Sequence, residues 1–195
     1  VDDRPLPPVV RLDRHQSIAV TSTASGSIGI GASSVATSGN VTPTGDDRYL
    51  VAFAGNTEYP GTAAAYTSIT FGAATLTNVT DNLLPSGFRR LVSSDLIAPS
   101  TTGALVTYTI ADADDTLIVG AVAFSGVHQT TARDTPAAFA SGGATNPAIT
   151  ITAGDAEDVR IAGVYDDATS LTVGTGETSR VEVENIGLYA DSLGI

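Results

Sequence analysis

The chain has 195 residues and a formal net charge of −12, from 21 acidic and 9 basic residues, and every basic residue is arginine. A surface of that sign repels nucleic acid and anionic membranes, so the sequence predicts neither as a partner. The absence of cysteine excludes disulfides, thiolate catalysis and cysteine metal sites. The length suits one well-buried domain.

Residues 1–16 are predicted to form an extended N-terminal arm or linker. Three prolines prevent regular strand pairing there and favour polyproline-like backbone. Three arginines balance three aspartates, so residues 17–195 carry the whole negative charge. We expect the arm to dock onto an acidic neighbour or another copy of the chain, with a loose terminus as the alternative. Its candidate partner-binding residues are Arg4, Pro5, Pro7, Pro8, Arg11 and Arg14.

No apolar segment follows a basic start, and no run of about 18 apolar residues occurs. The sequence therefore predicts no membrane span and no signal peptide within this numbering. Either a signal is removed before Val1, or the protein is made and used without export.

The first half of the body reads as short β-strands. Residues 17–39 hold apolar pieces separated by Ser, Gly and Thr, which predicts two or three strands. Residues 48–54 (RYLVAFA) are apolar on both alternating sides, which is typical of a strand buried on both faces. The following GNTEYPGTAAA, residues 55–65, is predicted to be a long loop because it contains two glycines and a proline.

Shorter strands are predicted at residues 68–71, 76–80, 90–97 and 105–110. In the joint DNLLPSGF, Asp81 and Asn82 are turn-forming residues. Residues 105–110 alternate cleanly, with Val106, Tyr108 and Ile110 on one side and threonines on the other. This pattern predicts a sheet with one wetted face.

Residues 117–125 are predicted to be the central strand and the partner of residues 48–54. Both of its alternating sets are apolar or small. A long crossing follows, and then strands at 148–152, 159–165 and 180–184. Roughly ten to twelve short strands with long crossings predict an all-β fold. We expect a jelly-roll-like antiparallel β-sandwich over residues 17–195, in one domain.

The order of these pieces is similar to β-sandwich modules that recur in bacterial secreted proteins and in tailed-phage virion proteins. The resemblance covers most of residues 46–173. It is carried most specifically by VAFSGVHQTT, from Val122, and by FGAATLT, from Phe71. It implies a display or attachment module, and it brings no catalytic residues with it.

Few residues in this chain are suited to catalysis. A serine triad needs a histidine base, and the chain has only His15, in the arm, and His128. His128 follows Gly126 beside Gln129, Thr130 and Thr131, so hydrogen bonding at the rim of the sandwich is the favoured role. Glycosidase chemistry needs two facing carboxylates, and Glu58 beside Tyr59 is the one glutamate whose neighbours suggest a cleft. The sequence predicts no enzyme.

The acidic segment DADD offers weak calcium candidates in Asp112, Asp114 and Asp115. Calcium prefers hard oxygen ligands on loops, but a complete site needs about six to eight of them. No D-x-D-x-D-G loop is present. Solvated carboxylates in a turn are therefore the favoured interpretation, and no cofactor is expected.

We expect a non-enzymatic structural or attachment protein on the outside of a bacteriophage virion, of the capsid-decoration or fibre-base type. It would assemble through its arm and its sandwich faces with other virion subunits and as a homo-oligomer. The alternative is a secreted bacterial adhesin or glycan-binding module, with calcium-dependent binding to a host-surface glycan. Either function places the protein on a virion surface or outside the cell.

Overall fold

The structure, a computed structural model, describes residues 17–28, 33–83, 87–114, 116–132, 159, 161, 163–166, 182–186 and 190–194. Every regular element in these ranges is a β-strand, and none of the described segments is a helix that could cross a membrane. The strands are β1 (Ala19–Ile28), β2 (Ser33–Val41), β3 (Tyr49–Thr57), β4 (Tyr66–Phe71), β5 (Ala74–Thr75), β6 (Thr77–Leu83), β7 (Arg89–Ile97), β8 (Ala104–Asp114), β9 (Thr116–Ser125), β10 (Val164–Asp166), β11 (Glu182–Ile186) and β12 (Ala190–Gly194).

The strands form three antiparallel sheets. Sheet I has the order β1-β9-β3-β7-β6, and sheet II has the order β2-β8-β4-β5. A third sheet has the order β10-β12-β11. Sheets I and II pack face to face, which confirms the predicted all-β antiparallel sandwich. The predicted arm and the predicted strand at 148–152 lie outside the described residues.

Sheets I and II have jelly-roll connectivity, because one long hairpin winds across both of them. Its turn lies at Gly72, whose φ of 55° favours glycine. From that turn outward, β4 pairs with β5, β3 with β7, β2 with β8 and β1 with β9. Partners lie at nearly equal sequence distances from the turn, as Ala19 does with Ser125. β6 departs from this nesting and pairs with β7 at the edge of sheet I.

The predicted central strand is confirmed as β9, which pairs with both β1 and β3. Every residue of β9 except Ser125 is buried. Its odd-numbered residues from Leu117 to Ala123 lie in the core between sheets I and II. Ile118, Val122 and Phe124 lie in a second apolar cluster on the opposite face of sheet I. β3 divides in the same way, so the centre of sheet I is buried on both sides, as the apolar alternation of β3 and β9 predicts.

The third sheet packs on the outer face of sheet I. The backbones of β11 and β12 lie against β9, and β11 also lies against β1. Ile161 packs against the second apolar cluster. Gly163 lies so close to the Phe53 ring that a Cβ there would come within 2.1 Å of it. Sheet I is therefore an inner layer, and the outer face of sheet II remains exposed.

Three predicted loops or turns are wrong at their ends. β3 continues through Gly55, Asn56 and Thr57, which the sequence pattern placed in a loop. Asp81 and Asn82 lie in β6 rather than in a turn, where Asp81 forms an ion pair with Arg90 at 2.5 Å. Asp112 and Asp114 lie in β8, not in a turn. Asp81 binds a neighbouring strand through Arg90, and Asn56 and Asp114 bind each other across the two sheets.

Candidate functional site

Most of sheet II carries no charged side chain. Residues 33–41, 66–75 and 104–111 contain no Asp, Glu or Arg, although 15% of the chain is charged. The exposed Asp112 and the buried Asp114 lie beyond them, at the end of β8. Side chains on the inner side of these strands, such as Ala36, Ile69 and Val106, are buried in the core. The alternate residues point outward. We call this surface the neutral face; its defining residues are Val35, Thr37, Thr70, Thr75, Leu105 and Thr107.

Four threonines form one row across the neutral face. Thr37 of β2 pairs with Thr107 of β8. Thr107 pairs in turn with Thr70 of β4, and Thr70 with Thr75 of β5. Directly paired residues in an antiparallel sheet point to the same side, so their hydroxyl and methyl groups line up across the sheet. The alternation in β8 predicts that one face of this strand is wetted. It does not predict the threonine row, because the row depends on the register among four strands.

Two large apolar side chains flank the threonine row. Leu105 precedes Thr107 on β8 and is 43% exposed, and Val35 precedes Thr37 on β2 and is 38% exposed. Because β2 and β8 are antiparallel, the two side chains lie on opposite sides of the row. An exposed apolar pair in an uncharged surround is typical of an interaction surface.

A buried polar network joins sheets I and II at one end of the core. Asn56 of β3 is fully buried, and Asp114 of β8 is 2% exposed. Asn56 Nδ2 donates to Asp114 Oδ2 and to the carbonyl of Ala64, and Asn56 Oδ1 accepts from Tyr108 Oη at 2.5 Å. The Asp114 carboxylate also accepts from the Ala64 amide at 2.9 Å. Each polar group of the Asn56 side chain has a partner, as burial requires.

Burial also raises the pKa of the Tyr108 phenol above its usual range, and the positive charge of Arg90 partly opposes this shift. The phenol therefore stays protonated and keeps donating its hydrogen bond. The network is a structural tie between the two sheets, and each of its described contacts joins two groups of the protein itself.

The same network fixes the loop at residues 58–65. The Ala64 backbone is bound at both its amide and its carbonyl by the network. The amides of Glu58 and Ala63 donate to carbonyls of the facing segment, those of Phe88 and Gly87. The loop presents Tyr59, which is 49% exposed and packs edge-on against the Phe88 ring at 5.7 Å.

Of the three calcium candidates, the structure describes Asp112 and Asp114. Asp114 is buried in the network, and Asp112 is exposed and accepts a hydrogen bond from the amide of Ala113. Asp115 lies outside the described residues. Among the residues that the structure describes, no group of three or more His, Asp or Glu side chains could hold a metal ion. The interpretation of Asp114 as a solvated turn residue is wrong, because Asn56 and Ala64 bind it.

His128 makes the rim hydrogen bonds that the sequence predicts. Its Nδ1 accepts from the amide of Thr131 at 3.1 Å. The hydroxyls of Thr130 and Thr131 lie 3.1 and 2.9 Å from the same nitrogen. His15 and the six candidate arm residues, Arg4, Pro5, Pro7, Pro8, Arg11 and Arg14, lie outside the described ranges.

Comparison with known proteins found no matching family, no similar curated protein and no similar solved structure. The most distinctive feature of the site is the neutral face, and sequence alternation found only the β8 part of it. The β2 and β4 parts contain serine and glycine and break the alternation with register shifts.

Proposed function

We propose that the chain is a non-enzymatic structural or attachment protein on the outside of a virus particle, of the capsid-decoration or fibre-base type. The observation that carries this proposal is the neutral face on a chain whose net charge is −12. Charge-depleted surfaces with exposed apolar side chains are the ones that proteins bury on assembly. Jelly-roll folds also occur in viral capsid proteins, which supports the proposal by fold analogy.

In this function the protein works by burying surface in an assembly. The neutral face would be covered within the particle, and the acidic remainder of the body would point to solvent and keep the particle soluble. The arm, residues 1–16, would lie along a neighbouring virion subunit and add binding energy without a second folded domain. Its arginines are suited to an acidic neighbour.

The test compares particles made with the full chain and with residues 1–15 deleted. We expect the full chain on the particle exterior by immunogold labelling, and loss of incorporation for the deletion. Far-UV circular dichroism of the deleted protein should show that the body still folds. A control that keeps the arm but replaces Arg4, Arg11 and Arg14 with Gln separates charge from length. Normal incorporation of the shortened chain would rule out a role of the arm in assembly. Absence of the full chain from particles would rule out the proposed function.

A secreted bacterial adhesin or glycan-binding module is the second candidate, and the loop at residues 58–65 favours it. Sugar-binding proteins use aromatic rings held in a fixed position, and Tyr59 is half exposed on a loop anchored on two sides. The guanidinium of Arg89 lies 5.0 Å from the Phe88 ring centre, so a cation and two aromatic rings share this end of the sandwich.

A glycan array with and without calcium tests this second function. Saturable binding that Tyr59→Ala abolishes would support it, and calcium dependence would support the calcium-dependent form. Ile97→Ala is the control, because Ile97 is similarly exposed at 44% but lies at the opposite end of β7, where it pairs with Tyr49. Uniform absence of binding would rule the second function out.

A further inference from the structure

We propose that the neutral face binds the neutral face of a second copy of this chain, around a two-fold axis. This inference rests on the proposed function and deepens it, since it names the partner of the assembly surface. Three features of the face carry it: its lack of charge, its hydroxyl chemistry and the placement of its two exposed apolar side chains.

Charge selects this face for self-association. Two copies each carrying a net charge of −12 repel one another in most orientations. Repulsion is smallest where neither copy presents a carboxylate, and residues 33 to 41, 66 to 75 and 104 to 111 of sheet II hold none, since Asp112 and Asp114 lie at the far end of β8. A cationic partner would instead prefer the acidic surfaces elsewhere. An uncharged face on an acidic chain therefore favours an identical partner.

The chemistry of the face is self-complementary. A threonine hydroxyl both donates and accepts, so the row of Thr37, Thr107, Thr70 and Thr75 can hydrogen-bond with an identical row. The methyl groups of the same side chains supply apolar contact. Isologous dimers require that one patch complement itself.

The placement of Leu105 and Val35 fits a two-fold axis that runs along the threonine row. The two side chains lie on opposite sides of that row, each about two residues or 7 Å away from it along its strand. A rotation of 180° about the row exchanges the two sides of the face. Leu105 of each copy then lies over Val35 of the other, which buries both exposed side chains.

The size of the face sets the strength of the pairing. The strands of sheet II have nine, eleven, six and two residues. At about 3.3 Å per residue and about 4.8 Å between strands, they give a face of about 400 Å². Stable interfaces bury about 800 Å² on each partner. Pairing in free solution should therefore be weak and concentration-dependent, and it should strengthen where the chains are held together on an assembly.

Sedimentation velocity over a wide concentration range tests the pairing on the full chain. We expect a monomer–dimer equilibrium that tightens when ionic strength rises from about 0.1 to about 1 M, because the Debye length falls from about 10 to about 3 Å. Leu105→Asp should weaken dimerisation at least tenfold. Asn78→Asp adds the same charge at an exposed position of sheet I and should leave the equilibrium unchanged.

Mixing two variants tests the two-fold geometry. Val35→Lys alone should also weaken pairing, but a mixture of Leu105→Asp and Val35→Lys chains should recover it, because the introduced carboxylate of one chain would meet the introduced ammonium of the other across the axis. Circular dichroism of each variant verifies folding. A wild-type chain that stays monomeric at all concentrations, or a dimer that neither variant weakens, would overturn the inference. If both variants dimerise more weakly than the wild-type chain and their mixture does not recover dimerisation, the proposed axis is wrong.

The outcomes separate this inference from the proposed function. A chain that dimerises through the neutral face but is absent from particles refutes the virion function and keeps the pairing. A chain found on particles but monomeric in solution at every concentration refutes the pairing and keeps the function.

Discussion

Sheets I and II differ in the exposure of their outer faces and in the residues that those faces carry. The centre of sheet I, β3 and β9, is covered on both faces, by sheet II on one side and by the third sheet and the second apolar cluster on the other. In the described part of the chain sheet II is covered on its inner face, while residues of its outer face such as Val35, Thr37 and Leu105 are exposed and uncharged. Apolar residues on both sides of β3 and β9 form a sealed inner layer, whereas threonines line the accessible surface of sheet II. The comparison shows that the residues on each face match what covers it: apolar under the third sheet and hydroxyl-bearing toward solvent.

The largest expected effect comes from placing a charge in sheet I. Val119 and Val122 are fully buried on opposite faces of β9. Either Val119→Asp or Val122→Asp would bury an unpaired carboxylate, and the penalty of several kcal/mol is comparable to the about 5–15 kcal/mol that holds a domain folded. We expect both variants to be unfolded by circular dichroism at 25 °C. A folded Val122→Asp protein would mean that the third sheet does not seal the outer face.

The second effect concerns the tie between the two sheets. Asp114→Ala would leave Asn56 and the Ala64 amide without their carboxylate partner, at about 1–3 kcal/mol for each group. Denaturant unfolding measures this loss. Asp112→Ala, two residues away on the same strand but exposed, is the matched control and should change stability by less than about 0.5 kcal/mol. Equal effects of the two substitutions would contradict the network.

Tyr108→Phe should have a smaller effect that depends on pH. It removes one hydrogen bond to Asn56, worth about 1–2 kcal/mol at neutral pH. Because burial raises the pKa of Tyr108, the unfolded chain loses this proton before the folded chain does. The stability that the phenol contributes is therefore complete below about pH 10, and it falls by about 1.4 kcal/mol for each pH unit above that value.

Unfolding at neutral pH and above pH 10 measures this difference. The advantage of the wild-type chain over Tyr108→Phe should shrink as pH rises. Tyr59→Phe, in an exposed ring, is the control for general alkaline effects. A constant difference across this pH range would show that Tyr108 titrates alike in both states.

The smallest effect is expected on the neutral face. Thr37 is exposed, so Thr37→Asp should change the free energy of unfolding by less than about 0.5 kcal/mol. Thermal unfolding of dilute, monomeric protein measures it. A loss close to that of Val119→Asp would show that the outer face of sheet II is covered, and would remove the contrast between the two sheets.

Sequence alternation predicted the burial of β3, β8 and β9 correctly, because successive side chains of a strand point to opposite faces and show which face is apolar. It misplaced Asn56 and Asp114, because their hydrogen-bond partner lies 58 residues away in the chain. Local patterns treat such residues as turn formers. The threonine row was missed for a related reason: Thr37, Thr70 and Thr107 belong to three separate strands. Register between distant strands, and not residue type, creates both features.

The nested hairpin has a consequence for the order in which the chain folds. The contact between β4 and β5 closes across two turn residues, whereas Thr21 and Ala123 of β1 and β9 meet across 102 residues. During synthesis β1 emerges first and must wait for β9 before it gains its partner in sheet I. Long-range strand pairing slows folding and leaves early strands open to wrong pairing. β1 carries no charge, and six of its ten residues are serine, threonine or glycine. This low apolar content would limit wrong pairing and aggregation of β1 until β9 has been synthesised.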